Sequence, residues 1–206
     1  MADRKHGRPA PETHSTVAAE DWYGDDLSGQ SHERVAFVGV DMTETESRGA
    51  VFSECTFQDV RFNASTHSDT AFLNCTFVRC TFFDATFTRC KFVGSVFDRC
   101  TFDLLKVSGG DWSFAGLPGA DLHSASFVDV RLREADLTGA RCEGATLRGA
   151  DLAGAWLHSA KLSRCDLRGS ELSSLDPFNV EMKGAIVDIQ QAVVIAEALG
   201  LEVRPG

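Results

Sequence analysis

The chain has 206 residues with 20 basic and 30 acidic ones, a net charge of −10. That sign excludes a protein that holds nucleic acid through bulk positive charge, and suits one that meets a basic surface. No run of 18 apolar residues occurs, which excludes a membrane-spanning helix; the start lacks an apolar leader core, so a cytoplasmic location is expected.

Residues 1–20 are polar, contain two prolines, balance three basic against three acidic residues and follow no period. They are expected to form a disordered tail. From Trp22 onward the chain keeps one beat. Of the 34 positions reached in steps of five from Trp22 to Val187, 30 are apolar, and the phase never slips. The exceptions are His32, Ser47, His67 and Pro177. Residues 21–51 are a ragged start to this row. Residues 52–102 are its phenylalanine half, from Phe52 and Phe57 to Phe97 and Phe102, broken only at His67. Residues 103–119 are the least regular stretch, with Leu105 and Gly110 out of pattern, and a bend or disturbed coil is expected there. Residues 117–172 are the leucine half, from Leu117 and Leu122 to Leu167 and Leu172. The row fades at Pro177.

Asp188 then reads as a helix N-cap with Gln191 at the third helical position. Ala192–Leu199 is helix-forming, and Gly200 is a natural stop. The helix is apolar on most sides. One face can seal the end of the repeat, and the rest calls for a second chain.

A beat of five fits neither regular element. Along an α-helix every fifth residue lies about 140° further round, and along a flat strand it changes side. A chain that turns a corner after each short extended piece brings every central residue inward, which defines a β-solenoid. Two residues before each centre the side chain is small, as at Cys55, Cys75, Ala135 and Ala150; among the 28 such positions from 50 to 185 only Leu105 and Leu175 are large. Residues two apart on an extended piece share a face, so this second column also points inward. Two residues after the centre glycine recurs, as at Gly94, Gly139 and Gly154, which suits a tight corner. Six of the seven cysteines stand in the small column and Cys142 in the central one. They read as core filler rather than a metal or disulfide set, since no C-x-x-C pair exists.

Segments such as Ala135-Asp136-Leu137-Thr138-Gly139 and Cys165-Asp166-Leu167-Arg168-Gly169 resemble the A-D/N-L-x-x unit of pentapeptide-repeat proteins. Phe52-Ser53-Glu54-Cys55-Thr56-Phe57 resembles the C-x-F variant of the family's topoisomerase-poison-resistance branch, of the MfpA and Qnr type. The resemblance covers about residues 21–200. It implies an all-β fold, a right-handed quadrilateral β-helix of four units per coil over 21–187, with a C-terminal capping and dimerisation helix over 188–206. It also implies a DNA mimic that binds and inhibits DNA gyrase and protects against fluoroquinolones, as a homodimer, with no cofactor and no catalysis. With 20 residues per coil, Ser47 and His67 fall one above the other. A buried contact between them is expected, not a catalytic pair, because no third orienting group is evident.

All of the net charge lies beyond residue 20. The 34 units make about 8.5 coils of roughly 4.8 Å, a rod of about 40 Å, hence about one net charge per 4 Å against one per 1.7 Å for duplex DNA. Placement must therefore count for more than the total. The side containing centres 22, 42 and 62 carries most acids. Its partner-facing candidates are Asp41, Glu44, Asp84, Asp103, Asp121, Glu143 and Glu181, with Phe83 and Trp156 as aromatic candidates. The dimer candidates are Phe178, Ile189, Val193, Ala196 and Leu199. No phosphate-binding loop, H-E-x-x-H or G-x-S-x-G occurs, so no enzyme and no metal site are expected. The alternative to a gyrase inhibitor is an acidic solenoid scaffold for another basic partner.

Overall fold

The computed structural model describes residues 10–204. Its strands are three or four residues long, and all pairs are parallel. One side of the coil stacks β1 (Ser15–Ala18), β3 (Val35–Val38), β6 (Thr56–Gln58), β9 (Thr76–Val78) and β11 (Val96–Asp98). A second stacks β2 (Ser31–Glu33), β5 (Val51–Ser53) and β8 (Ala71–Leu73). A third stacks β4 (Glu46–Arg48), β7 (Thr66–Ser68), β10 (Thr86–Thr88), β12 (Lys106–Ser108), β13 (Ser126–Val128) and β14 (Thr146–Arg148). The fourth is carried by single bridges such as Asp41↔Arg61↔Thr81↔Thr101. Every register steps by 20 residues, as Phe37↔Phe57↔Phe77↔Phe97 does. Four five-residue units therefore close one turn of a right-handed quadrilateral β-helix.

The two inward columns build the core. Phe57 and Phe77 stack at 4.7 Å, Phe77 and Phe97 at 4.8 Å, and all three are buried. Beside them lie Cys55, Cys75, Cys80, Ala135 and Ala150, also buried. At most corners the residue two after the centre is left-handed whether or not it is glycine: Gly139 has φ 65°, Glu54 51°, Arg79 53° and Leu104 58°, whereas Ser124, Ser174 and Asn179 are not. The corner geometry overrides residue preference, at about 1–2 kcal/mol for each side chain held there.

Three boundaries differ from the sequence expectation. β1 lies inside the expected tail, pairs with β3 and places Val17 against the core. The coil therefore starts near residue 14, where His14 N–H donates to the Arg34 carbonyl. Val17 stands one five-residue step before Trp22, in phase with the row, but the polar, proline-containing residues before it masked the step, and the ladder to Arg34–Val38 reveals it. The rest of the expected tail, residues 1–9, lies outside the described residues. Within 103–119 the core stays regular, with Leu105 and Trp112 buried; the disturbance is confined to one corner, described below. Near Pro177, which has no N–H, the ladder shifts: Ser159 N–H donates to the carbonyl of Asn179, one residue beyond the usual spacing.

Helix α1 (Ile189–Ala198) carries the expected capping box, Asp188 accepting from the Gln191 N–H and Gln191 accepting from the Asp188 N–H. Gly200 ends it at φ 83°. Gln191 is buried and donates to the carbonyls of Leu167 and Ser170 at 2.6 and 2.7 Å, which satisfies the last open edge. The expected Ser47–His67 contact is present: Ser47 Oγ lies 2.7 Å from His67 Nδ1 and from Thr70 Oγ1, and His67 Nε2 lies 3.0 Å from Ser65 Oγ. His67 is buried and stacks on Phe87 at 4.9 Å. It is a polar plug in the phenylalanine stack.

Candidate partner-binding surface

The acidic side is not a uniform row of free carboxylates. Asp41 pairs with Arg61 at 2.6 Å, whose hydrogen bond pulls the Asp41 carboxyl down to about 2. Asp84 pairs with Lys106 at 2.6 Å, and Asp121 with Arg141 at 3.1 Å and His123 at 2.8 Å. Glu143 Oε2 is buried and, among the described residues, has no hydrogen-bond partner. Glu44, Asp103 and Glu181 are exposed and, among the described residues, make no salt bridge. Other acids are partly neutralised by pairs one coil apart, such as Arg79–Asp59 and Arg89–Asp69, both 2.7 Å. Such exposed pairs contribute about 0–1 kcal/mol each, but they remove carboxylates from the set available to a partner. The aromatic candidates Phe83 and Trp156 are 52% and 39% exposed.

At the C-terminal end, Phe178 and Ile189 are 75% and 85% exposed, and Leu199 is exposed. Val193 and Ala196 are half-buried. Ile195 packs on the core. The helix therefore has one face on the coil and an apolar face outside it.

A second feature is a groove of about 670 Å³ across the side that carries β11. Its cause is local. In regular coils the central N–H donates to the carbonyl 19 residues on, as Phe82 does to Thr101 at 3.0 Å and Leu122 to Arg141 at 2.7 Å. Among the described residues no such bond joins Phe102 to Asp121, Arg99 to Pro118, or Asp121 back to Cys100; the Leu104 N–H is taken by Ser124 Oγ at 3.0 Å. The ladder is intact just before, where Phe97 N–H donates to the Gly116 carbonyl, and just after, between β12 and β13. The ladder is thus open at this corner, as it is again near Pro177, where no bond joins Leu157 to Asp176 among the described residues. Of the residues lining this groove, Asp121 and Trp156 were sequence candidates, whereas Gly116, Glu134 and Asp136 were not. The available signal was Gly116-Leu117-Pro118: the outward positions flanking the centre hold a residue without a side chain and one without an N–H.

Six cysteines are buried and Cys100, at the open corner, is half-buried. Burial pushes the Cys90 and Cys165 thiols up to about 11 and about 12, which leaves them unreactive at neutral pH. In the native protein one thiol, Cys100, is expected to alkylate before the others. Mass mapping after brief iodoacetamide treatment checks this; uniform labelling would mean that the coil breathes as a whole.

Residues 117–154 and 150–176 match the pentapeptide-repeat family model, and residues 19–102 match the model described as the SV2A/B/C luminal domain. No curated protein sequence matches. Among solved structures the chain is similar to a trypsin-treated variant of QnrB1, a plasmid-mediated fluoroquinolone resistance protein, at 22% identity and TM-score 0.51, covering 94% of this chain and 99% of that one. It is also similar to HetL, a pentapeptide-repeat protein involved in heterocyst differentiation regulation in Nostoc sp. strain PCC 7120, at 18% identity and TM-score 0.50, covering 87% of each chain. At these identities the likeness concerns the fold. No helix among the described residues is long and apolar enough to cross a membrane.

Proposed function

This chain is a pentapeptide-repeat protein, and from that premise we propose that it is a cytoplasmic, non-catalytic DNA mimic that binds DNA gyrase or a related type II topoisomerase, inhibits it and thereby protects it from fluoroquinolones. The observation that carries the reading is that exposed carboxylates such as Glu44, Asp103 and Glu181, which make no salt bridge among the described residues, lie along one side of a stiff acidic rod. Carboxylates on such a rod can occupy basic sites that otherwise hold phosphates. The apolar outer face at Phe178, Ile189 and Leu199 is covered by a second copy, giving a homodimer joined end to end.

The test is a supercoiling assay with increasing protein at low and raised salt. Salt-sensitive inhibition is expected, weakened about tenfold or more by the triple variant Glu44→Lys, Asp103→Lys, Glu181→Lys. Equal weakening by Glu33→Lys, Asp129→Lys, Glu197→Lys, which changes the same charge elsewhere, would show that total charge alone matters. An acidic scaffold for another basic partner is the second reading, and absence of inhibition favours it.

A further inference from the structure

We propose that the groove at the open corner receives an extended, arginine- or lysine-bearing segment of a partner protein. Three observations fix that chemistry. The open corner presents the N–H groups of Arg99, Phe102 and Asp121 and the carbonyls of Cys100 and Pro118 without backbone partners among the described residues. A row of unpaired donors and acceptors is what an added strand uses. Next, Gly116 leaves a depression between Val96 and Asp136, since a Cβ placed there would meet nothing closer than Val96 Cγ2 at 3.4 Å. That space fits an apolar side chain of the incoming segment.

Finally, the charge is one-sided. Glu134 and Asp136 line the groove and make no salt bridge among the described residues, whereas Arg99, the one cation there, is already held by Asp98 at 2.7 Å. Trp156, 39% exposed, lines the same groove, and an indole there can attract a cation. A strand with alternating basic and apolar side chains matches all three: its backbone meets the open ladder, its cations meet Glu134, Asp136 and Trp156, and its apolar side chains fill the space over Gly116. The groove lies mainly on the side next to the one carrying Glu44, Asp103 and Glu181. The inference therefore stands or falls independently of the topoisomerase reading.

The probe is a blocked octapeptide of alternating arginine and valine, titrated into the whole protein while tryptophan emission is followed. Trp156→Phe identifies the responding ring. A saturable change is expected. Gly116→Leu, which fills the depression without demanding a left-handed backbone, is expected to abolish it. Glu134→Gln with Asp136→Asn is expected to weaken it about tenfold, with melting temperatures unchanged in both variants. The proposal is overturned by no binding at about 1 mM, by binding that Gly116→Leu leaves intact, or by equal weakening from Glu33→Gln with Asp129→Asn. It is overturned too if arginine amide alone binds as tightly as the peptide, because the occupant would then be a small cation.

Discussion

Replacing Phe77 by alanine is expected to destabilise the protein by about 3–5 kcal/mol, seen as a lower urea midpoint. Phe77 is fully buried between Phe57 at 4.7 Å and Phe97 at 4.8 Å, with Phe72 and Phe82 edge-on at 5.8 Å. The rings above and below are fixed by the backbone ladder, whose 20-residue step does not shorten when a side chain is lost. The void therefore stays open, which puts the cost at the upper end of the range for such truncations. Each coil also contacts only its neighbours, so a weak coil in the middle splits the solenoid into two shorter ones. A loss below about 1 kcal/mol would show that adjacent rings slide in to fill the space.

A second large effect is expected with pH. Burial pushes His67 down to about 3 from an ordinary value of 6.5. The folded state holds it neutral, while the unfolded chain binds a proton below about 6.5. Stability is therefore complete above that value and falls by roughly 1.4 kcal/mol per pH unit as pH drops towards the folded value. Half-buried His32, lowered by burial as well, adds a smaller share. The paired carboxylates act lower down. Asp59, Asp69 and Asp166 are lowered by hydrogen bonds from Arg79, Arg89 and Arg168, so their contribution disappears only below the ordinary carboxylate value. The interval between about pH 6 and pH 4.5 thus isolates the histidines. Urea unfolding across it should show the slope in the wild type and a much flatter line in His67→Phe. In that variant a ring remains to stack on Phe87, Ser47 keeps Thr70, and Ser65 keeps the Phe62 carbonyl. An unchanged slope in the variant would place the proton uptake elsewhere.

The fold was legible because one rule, an apolar centre every five residues, is repeated without a slip. The Phe57–Phe77–Phe97 stack, the buried Cys75 and Ala135, and the Asp188–Gln191 cap all follow from residue type and spacing. Val17 kept the phase, one step before Trp22, but it was hidden because the residues before it are polar and hold two prolines. The open corner was half legible. Leu105 and Gly110 broke the pattern, yet both fit: Leu105 is buried, and Gly110, at φ 90°, sits where a Cβ would lie 2.1 Å from the Cys90 carbonyl oxygen. The ladder opens instead around Phe102 and Asp121, and hydrogen bonds between coils have no sequence signature. The acidic side was legible as composition only. Which carboxylates stay unpaired depends on the arginines one coil away, and Asp41, Asp84 and Asp121 turn out to be held by Arg61, Lys106 and Arg141.

The most direct test of DNA mimicry is displacement. A fluorescent duplex bound to DNA gyrase is titrated with the protein while anisotropy is recorded. Mimicry predicts that the duplex is released, that release weakens as salt rises, and that the Glu44, Asp103, Glu181 reversal abolishes it. A duplex that stays bound at tens of micromolar protein, or one that is released equally well by the reversed variant, would contradict the account.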